Sequence, residues 1–186
     1  MGSAAFCFPK EDHMPSWGNY PYGCREVRVK NGTAASVANK AAQTLKFKET
    51  VASANLMGND RVVATKTYLT HMELEFEAGG MDLDFYAALT GRTVTTSGTG
   101  TAEVATMPIT GGDSFPYVAL FGKILGEGAD DLHIKFLKCK VTEIDGEFKE
   151  GGFSVNKCKL VAIPDSSTSD KIAELVANET ATALPA

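Results

Sequence analysis

The chain has 186 residues, 44% of them apolar and 22% charged, enough for one domain with a real core and ordinary for a globular fold. Its 23 acidic residues outnumber 18 basic ones, and a net charge of −5 argues against a dedicated nucleic-acid binder, which needs a basic surface to neutralise phosphate. No apolar run approaches the roughly 18 residues that span a bilayer, and the opening MGSAAFCFPKEDH lacks both the basic start and the apolar length of a secretory signal. The expected setting is a reducing cytoplasm, with no membrane contact.

Residues 1–24 form a segment of their own. The stretch FCFPKEDHMPSWGNYPYGC holds three Pro, two Phe, two Tyr and the single Trp, without helical or strand period. It is too aromatic for a free linker. An arm is expected here, docking on its own domain or on a neighbouring subunit, ahead of one β domain over residues 25–186.

REVRVKNG alternates and ends in Asn-Gly, which predicts a strand and a turn. QTLKFKETV alternates too, with Leu45, Phe47 and Val51 against Lys46, Lys48 and Thr50. RVVATKTYLTHMELEFEA is a second long stretch rich in β-branched and aromatic residues. Between them NLMGND, Asn55–Asp60, carries turn chemistry. The pair predicts a long hairpin with a substantial tip over residues 52–62.

GGMDLDFYAALTGR is the clearest helix. Gly79 and Gly80 break the strand, Asp82 can cap, and Asp84 adds negative charge to the first turn. Leu83, Tyr86, Ala87 and Leu89 form a short apolar stripe, which Gly91 ends. So short a helix needs a sheet to pack on, through Leu83, Tyr86 and Leu89.

TVTTSGTGTAEVATMPITGGD predicts strand pieces and loop. FPYVALFGKIL is a buried strand by its continuous apolar run. DDLHIKFLKCKVTEID and GGFSVNKCKLVAI alternate and are joined around Asp145–Gly152. In the first, Ile134, Leu137, Cys139 and Val141 are the apolar set and His133, Lys135, Lys138 and Lys140 the polar one. PDSSTSD is a linker, and KIAELVANETATAL a last strand or short helix. Many short strands, turn signals and one helix predict an antiparallel β-sandwich or barrel.

Cys7, Cys24, Cys139 and Cys158 form no C-x-x-C half-site, and no histidine stands at matching spacing, so neither zinc nor a redox pair is expected. Strand phase instead turns Cys139 and Cys158 inward and Lys138, Lys140, Lys157 and Lys159 outward. The two cysteines lie symmetrically about the proposed turn, which would make them neighbours on adjacent strands. The lysines are expected to form a solvated strip that resists edge pairing, or else an inter-subunit salt-bridge face. His13, His71 and His133 lie far apart in the chain, and there is neither a Gly-x-Ser-x-Gly elbow nor a phosphate loop. No catalytic, metal or cofactor site is expected, and no enzymatic activity.

The order of elements is familiar. A hairpin with an MGNDRVVA tip leads into LEFEAGGMDLDFYAALTG, then FPYVALFGKILGEGADDLHIKFLKCKVT, then ELVANETAT. Over residues 25–182 this resembles the major tail tube protein of long, non-contractile-tailed bacteriophages. The resemblance implies a β-sandwich with one flanking helix, in homohexameric rings stacked as a tube in the virion tail after assembly in the host cytoplasm. It implies inter-ring contact by the hairpin tip, here about Ala52–Arg61, with Asn55, Leu56, Met57, Gly58, Asn59, Asp60 and Arg61 at its end. Tape-measure and tail terminator proteins are the implied partners, and DNA would pass through the lumen without specific binding. Six copies of a −5 subunit give a ring of about −30, which would let DNA slide. Two rival readings stand beside this one. The chain could be the tube protein of a contractile tail or related injection machine. It could instead be a β-sandwich ligand-binding module of carbohydrate-binding type, with Trp17, Tyr20 and Tyr22 as its aromatic platform.

Overall fold

The computed structural model describes residues 22–39, 41–58, 60–126, 130–148, 150–152, 154–178 and 180–185. Ten strands and one helix run in the order β1 (Tyr22–Asn31), β2 (Val37–Asn39), β3 (Ala42–Gly58), β4 (Arg61–Gly79), α1 (Leu83–Thr90), β5 (Thr95–Ser97), β6 (Val104–Thr106), β7 (Tyr117–Leu125), β8 (Asp131–Glu147), β9 (Val155–Ala162) and β10 (Ala173–Asn178). The main sheet has the order β2-β1-β7-β8-β9-β4-β3, with β10 also paired to β8; β5 and β6 pair separately. Every strand pairing is antiparallel. The protein is mainly β and sandwich-like, and its sheet bends over without closing into a barrel.

The bend brings the two ends of the sheet face to face. Leu45 of β3 packs over Gly122 of β7, where an added Cβ would sit 2.5 Å from Leu45 Cδ2 and 2.9 Å from Ile134 Cγ2. Only glycine allows that approach. Next along β3, the Phe47 ring lies 6.2 Å from that of Phe136 on β8. The core between the layers is built from alternate residues of the central strands, among them Val27, Leu74, Phe76, Leu120, Ile134 and Leu160. Period-2 alternation in the sequence is the direct cause, since a pleated strand sends successive side chains to opposite faces.

Helix α1 closes part of that core. Asp82 is its N-cap, accepting from the Asp84 and Phe85 backbone N–H groups at 3.1 and 3.2 Å. Gly91 ends it at φ 75°, a left-handed conformation, and donates its N–H to Ala87 O at 2.8 Å. Phe85, Tyr86 and Leu89 are buried, while Leu83 is only half-buried. The apolar stripe read from sequence omitted Phe85, which is fully buried and meets Phe76 at 5.4 Å between ring centroids. Burying one such side chain is worth about 1.5–3 kcal/mol, enough for two or three to hold a helix too short to stand alone.

Two parts of the chain differ from the sequence expectation. In β8, Val118 pairs with Cys139 but Leu120 pairs with Phe136, so β8 carries one extra residue at Leu137–Lys138. This bulge shifts the phase. Phe136 and Cys139 both face the core, Leu137 is half-buried, and His133 is buried rather than on an exposed polar face. The bulge falls where the other edge of β8 changes partner, from β9 to β10, and its backbone reaches the connection through Leu137 N–H to Ile172 O and Ile163 N–H to Lys138 O. Second, β1 begins at Tyr22, inside the segment taken as an arm. Gly23 at φ 77° and register shifts on either side of Cys24 break the alternation there, which hides the strand start from a periodicity search. Residues 1–21 lie outside the described residues, and with them the arm, His13, Trp17 and Tyr20.

Candidate assembly surface

The β3–β4 hairpin is the most prominent surface feature. Its two strands pair continuously from Ala42↔Ala78 to Gly58↔Arg61, with register shifts that leave Thr70 and Val63 as extra residues on β4. Burial on β4 alternates only from Met72 onward; residues 61–69 are exposed. The outer part of the hairpin therefore stands clear of the body. Asn55, Leu56, Met57 and Gly58 are paired strand residues rather than turn, since the strands run on to within two residues of each other. Thr65 Oγ1 donates to Asn55 Oδ1 at 2.9 Å across the pair. Asp60 sits in the turn at φ 60° and Arg61 opens β4; Asn59 lies outside the described residues. Leu56, Met57, Val62 and Val63 are each more than half exposed, as are Val51 and Tyr68 nearer the body. The contact residues read from sequence, Asn55 to Arg61, stop short of Val62 and Val63, although both stand in the MGNDRVVA tip. Their signal was an apolar pair next to the turn, without a facing layer.

The lysine face is on the outer side of β3, β4, β9 and β8. Pairing register places Lys46, Glu75, Lys159 and Glu143 in one row across four strands, with Glu77, Lys157 and Asp145 in the next. Lys159 Nζ reaches Glu143 at 2.7 Å, Lys157 Nζ reaches Glu77 at 2.9 Å, Lys48 Nζ reaches Glu73 at 3.4 Å and Lys46 Nζ reaches Glu75 at 3.8 Å. The Glu77 carboxyl is pulled down first by its hydrogen bond from Lys157, and the Lys159 ammonium is pushed up by Glu143. Signs alternate strand by strand, so most of the charge is neutralised within the face. Lys138 and Lys140 carry it to the β7 margin, where both ammonium groups lie over the Tyr117 ring, 5.1 and 5.2 Å from its centroid. The face carries a shallow hollow of about 570 Å³ between Lys46, Glu75, Thr142 and Lys159.

Both cysteines of the Lys-Cys-Lys triplets are buried, as strand phase required. They are not cross-strand neighbours. Cys139 pairs with Ala162 and Cys158 with Ile144, because Glu147 pairs with Val155 and the connection is centred on residue 151, later than expected. That offset of four residues is roughly 13 Å along the strand at the usual rise. Cys24, Cys139 and Cys158 are free thiols. Burial pushes Cys139 up to about 12 and Cys158 up to about 11, so neither is a nucleophile at neutral pH.

A second polar cluster fastens the C-terminal segment. Asp131 is buried on β8 and is met by Lys123 Nζ at 2.8 Å, Asn178 Nδ2 at 2.6 Å and the Thr182 N–H at 2.8 Å. His133 Nε2 stands 3.2 Å away, at ion-pair distance but out of hydrogen-bond alignment. Burial works against the Asp131 charge, but its donors outweigh it and hold the carboxyl at about 2. Lys123 also donates to Thr182 O. Beyond this anchor Leu184 is buried, and Pro185 O accepts from Ser36 Oγ at 2.9 Å. The chain after β10 thus lies back across the sheet toward β2. Among the described residues no three His, Cys, Asp or Glu side chains gather as a metal would require, and no helix is long and apolar enough to cross a membrane.

No protein-family model matches the chain, and no curated protein does. Among solved structures, the chain is similar to a component of the anti-feeding prophage baseplate, determined by cryo-EM with six-fold symmetrisation. The TM-score is 0.43 at 11% identity, covering 81% of this chain and 91% of that one. Overlap that loose decides nothing about role, and the functional reading rests on the geometry of the chain itself.

Proposed function

We propose that this protein is a structural assembly subunit: the tail tube subunit of a long-tailed phage-type virion, working in stacked six-fold rings around a lumen that passes DNA, without enzymatic activity. The observation that carries the reading is the β3–β4 hairpin, which continues the sheet well past the body and exposes Val51, Leu56, Met57, Val62, Val63, Tyr68 and Leu69. Large apolar side chains left exposed on both faces of a projecting hairpin point to a protein contact surface. Two features agree with a tube. Among the described residues the main sheet ends at β2 and β3 with no further strand paired to either, and neighbouring copies can extend the sheet there. The outer face of the sheet presents lysines already paired with glutamates, which leaves little net positive charge to hold phosphate.

The test is direct. The purified chain, concentrated and supplied with its assembly partners, is examined by negative-stain electron microscopy and sedimentation velocity. Rings or tubes with a central hole are expected. A monomer under all these conditions refutes the proposal. A sheath around the tube in micrographs of the parent particle would move it to a contractile tail.

A further inference from the structure

The hairpin has a donor end, and the body offers a matching acceptor. Pairing register puts Phe47, Glu49 and Val51 of β3 on the same side as Leu69 and Met72 of β4, the side that faces the core where the body covers it. At the point where the cover stops lies a groove of about 420 Å³. Phe47, Leu69, Met72, Ile134, Ile172 and Leu175 line it, with two exposed acids, Glu49 and Asp170, beside them. Phe47, Leu69 and Leu175 are 47%, 40% and 63% exposed, so this apolar wall is open to water in a single copy.

The tip has the complementary chemistry. Pairing register puts Met57 and Val62 there side by side on the core-side face, with Leu56 on the opposite face and Arg61 at the turn. Neither Arg61 nor Lys66 has an ion-pair partner among the described residues. Counting Asp60, the stretch Val51–Leu69 carries +1, against −2 from Glu49 and Asp170. The tip cannot fold back into its own groove. It stands roughly 25 Å out from Thr50 at the usual strand rise, and pairing that runs on to Gly58↔Arg61 holds it out from the body. The occupant is therefore another chain.

We propose that the hairpin tip of a second copy seats Met57 and Val62 in this groove, with Arg61 set against Glu49 and Asp170. Donor and acceptor are different surfaces, so the contact is head-to-tail and each copy can both give and receive. This rests on the assembly-subunit reading above and adds to it the receiving surface.

The experiment uses the full chain with Cys7 and Cys24 replaced by Ser. Val62→Cys and Leu175→Cys, both at exposed positions, are made separately, mixed at high concentration and mildly oxidised. Cross-links are mapped by peptide mass, and the same samples are imaged. A Val62→Cys to Leu175→Cys cross-link that forms only in the mixture is expected, together with rings or tubes. The cross-link without rings or tubes would uphold the groove and sink the tube reading. Rings or tubes without the cross-link would sink the groove and leave the tube reading standing. Neither product would overturn both. Links mainly between two Val62→Cys copies would mean a symmetric tip-to-tip contact and overturn the groove. As a second arm, Leu175→Asp should abolish assembly while leaving the melting temperature of the monomer unchanged; normal assembly of that variant counts against the proposal.

Discussion

Asp131 shows how much a single side chain decides. Its folded pKa of about 2 lies below the ordinary aspartate value of about 3.9. The stability it contributes is therefore complete above about pH 4 and is lost as pH falls through about 2. Asp131→Asn should cost on the order of 3 kcal/mol at neutral pH, since it removes the only carboxylate partner from the largely buried Lys123 ammonium among the described residues, and should flatten the pH dependence of the denaturant midpoint between pH 4 and 2. An unchanged acid profile would show that the anchor is not as drawn. The helix residues divide just as clearly. Leu89→Asp places a charge at a fully buried site and should prevent folding, whereas Leu83→Asp, at a half-buried one, should lower the melting temperature and leave a folded protein. Thermal melts of the two variants make the comparison. For the buried thiols, maleimide should spare Cys139 and Cys158 in the native protein at pH 8 and label both in denaturant. The inward phase of those cysteines was legible from the alternation of their own strands. Their separation was not, because it depends on where a connection turns, and a shift of two residues in the turn moves cross-strand partners by four.

At the scale of the element, the hairpin is separable from the domain that bears it. Replacing the outer portion, residues 51–70, by a two-residue Asn-Gly turn between the paired residues Thr50 and His71 leaves every buried core residue in place. The shortened chain should fold with near-native stability and sediment only as a monomer. Loss of folding on this deletion would mean that the outer hairpin is structural. The charged face responds at the same scale. Lys159→Glu would set three acids side by side in the row Glu75–159–Glu143, and should lower the melting temperature by a few degrees, with most of the loss recovered at high salt. Strand pairs, the helix with both caps, and the hairpin were all visible in the sequence, because period and cap chemistry are local. The β8 bulge was not. It exists because β8 exchanges β9 for β10 along one edge, and no property of the stretch HIKFLKCK announces a change of partner.

For the whole molecule, the strand order β2-β1-β7-β8-β9-β4-β3 came from the structure alone, since periodicity says that strands exist and nothing of which ones meet. That order has a mechanical consequence. β4 runs without a break from the hairpin tip into the sheet, where it lies between β3 and β9, paired with β9 from Met72 to Gly79. Inter-strand hydrogen bonds lie across the strand direction. A pull on the tip along its axis therefore travels down covalent backbone and meets the ladders on both sides of β4 in shear, loading many bonds at once instead of unzipping them in turn. A chain of such subunits linked through their hairpins would behave as a stiff tether, yielding at the contacts between copies before any one copy came apart.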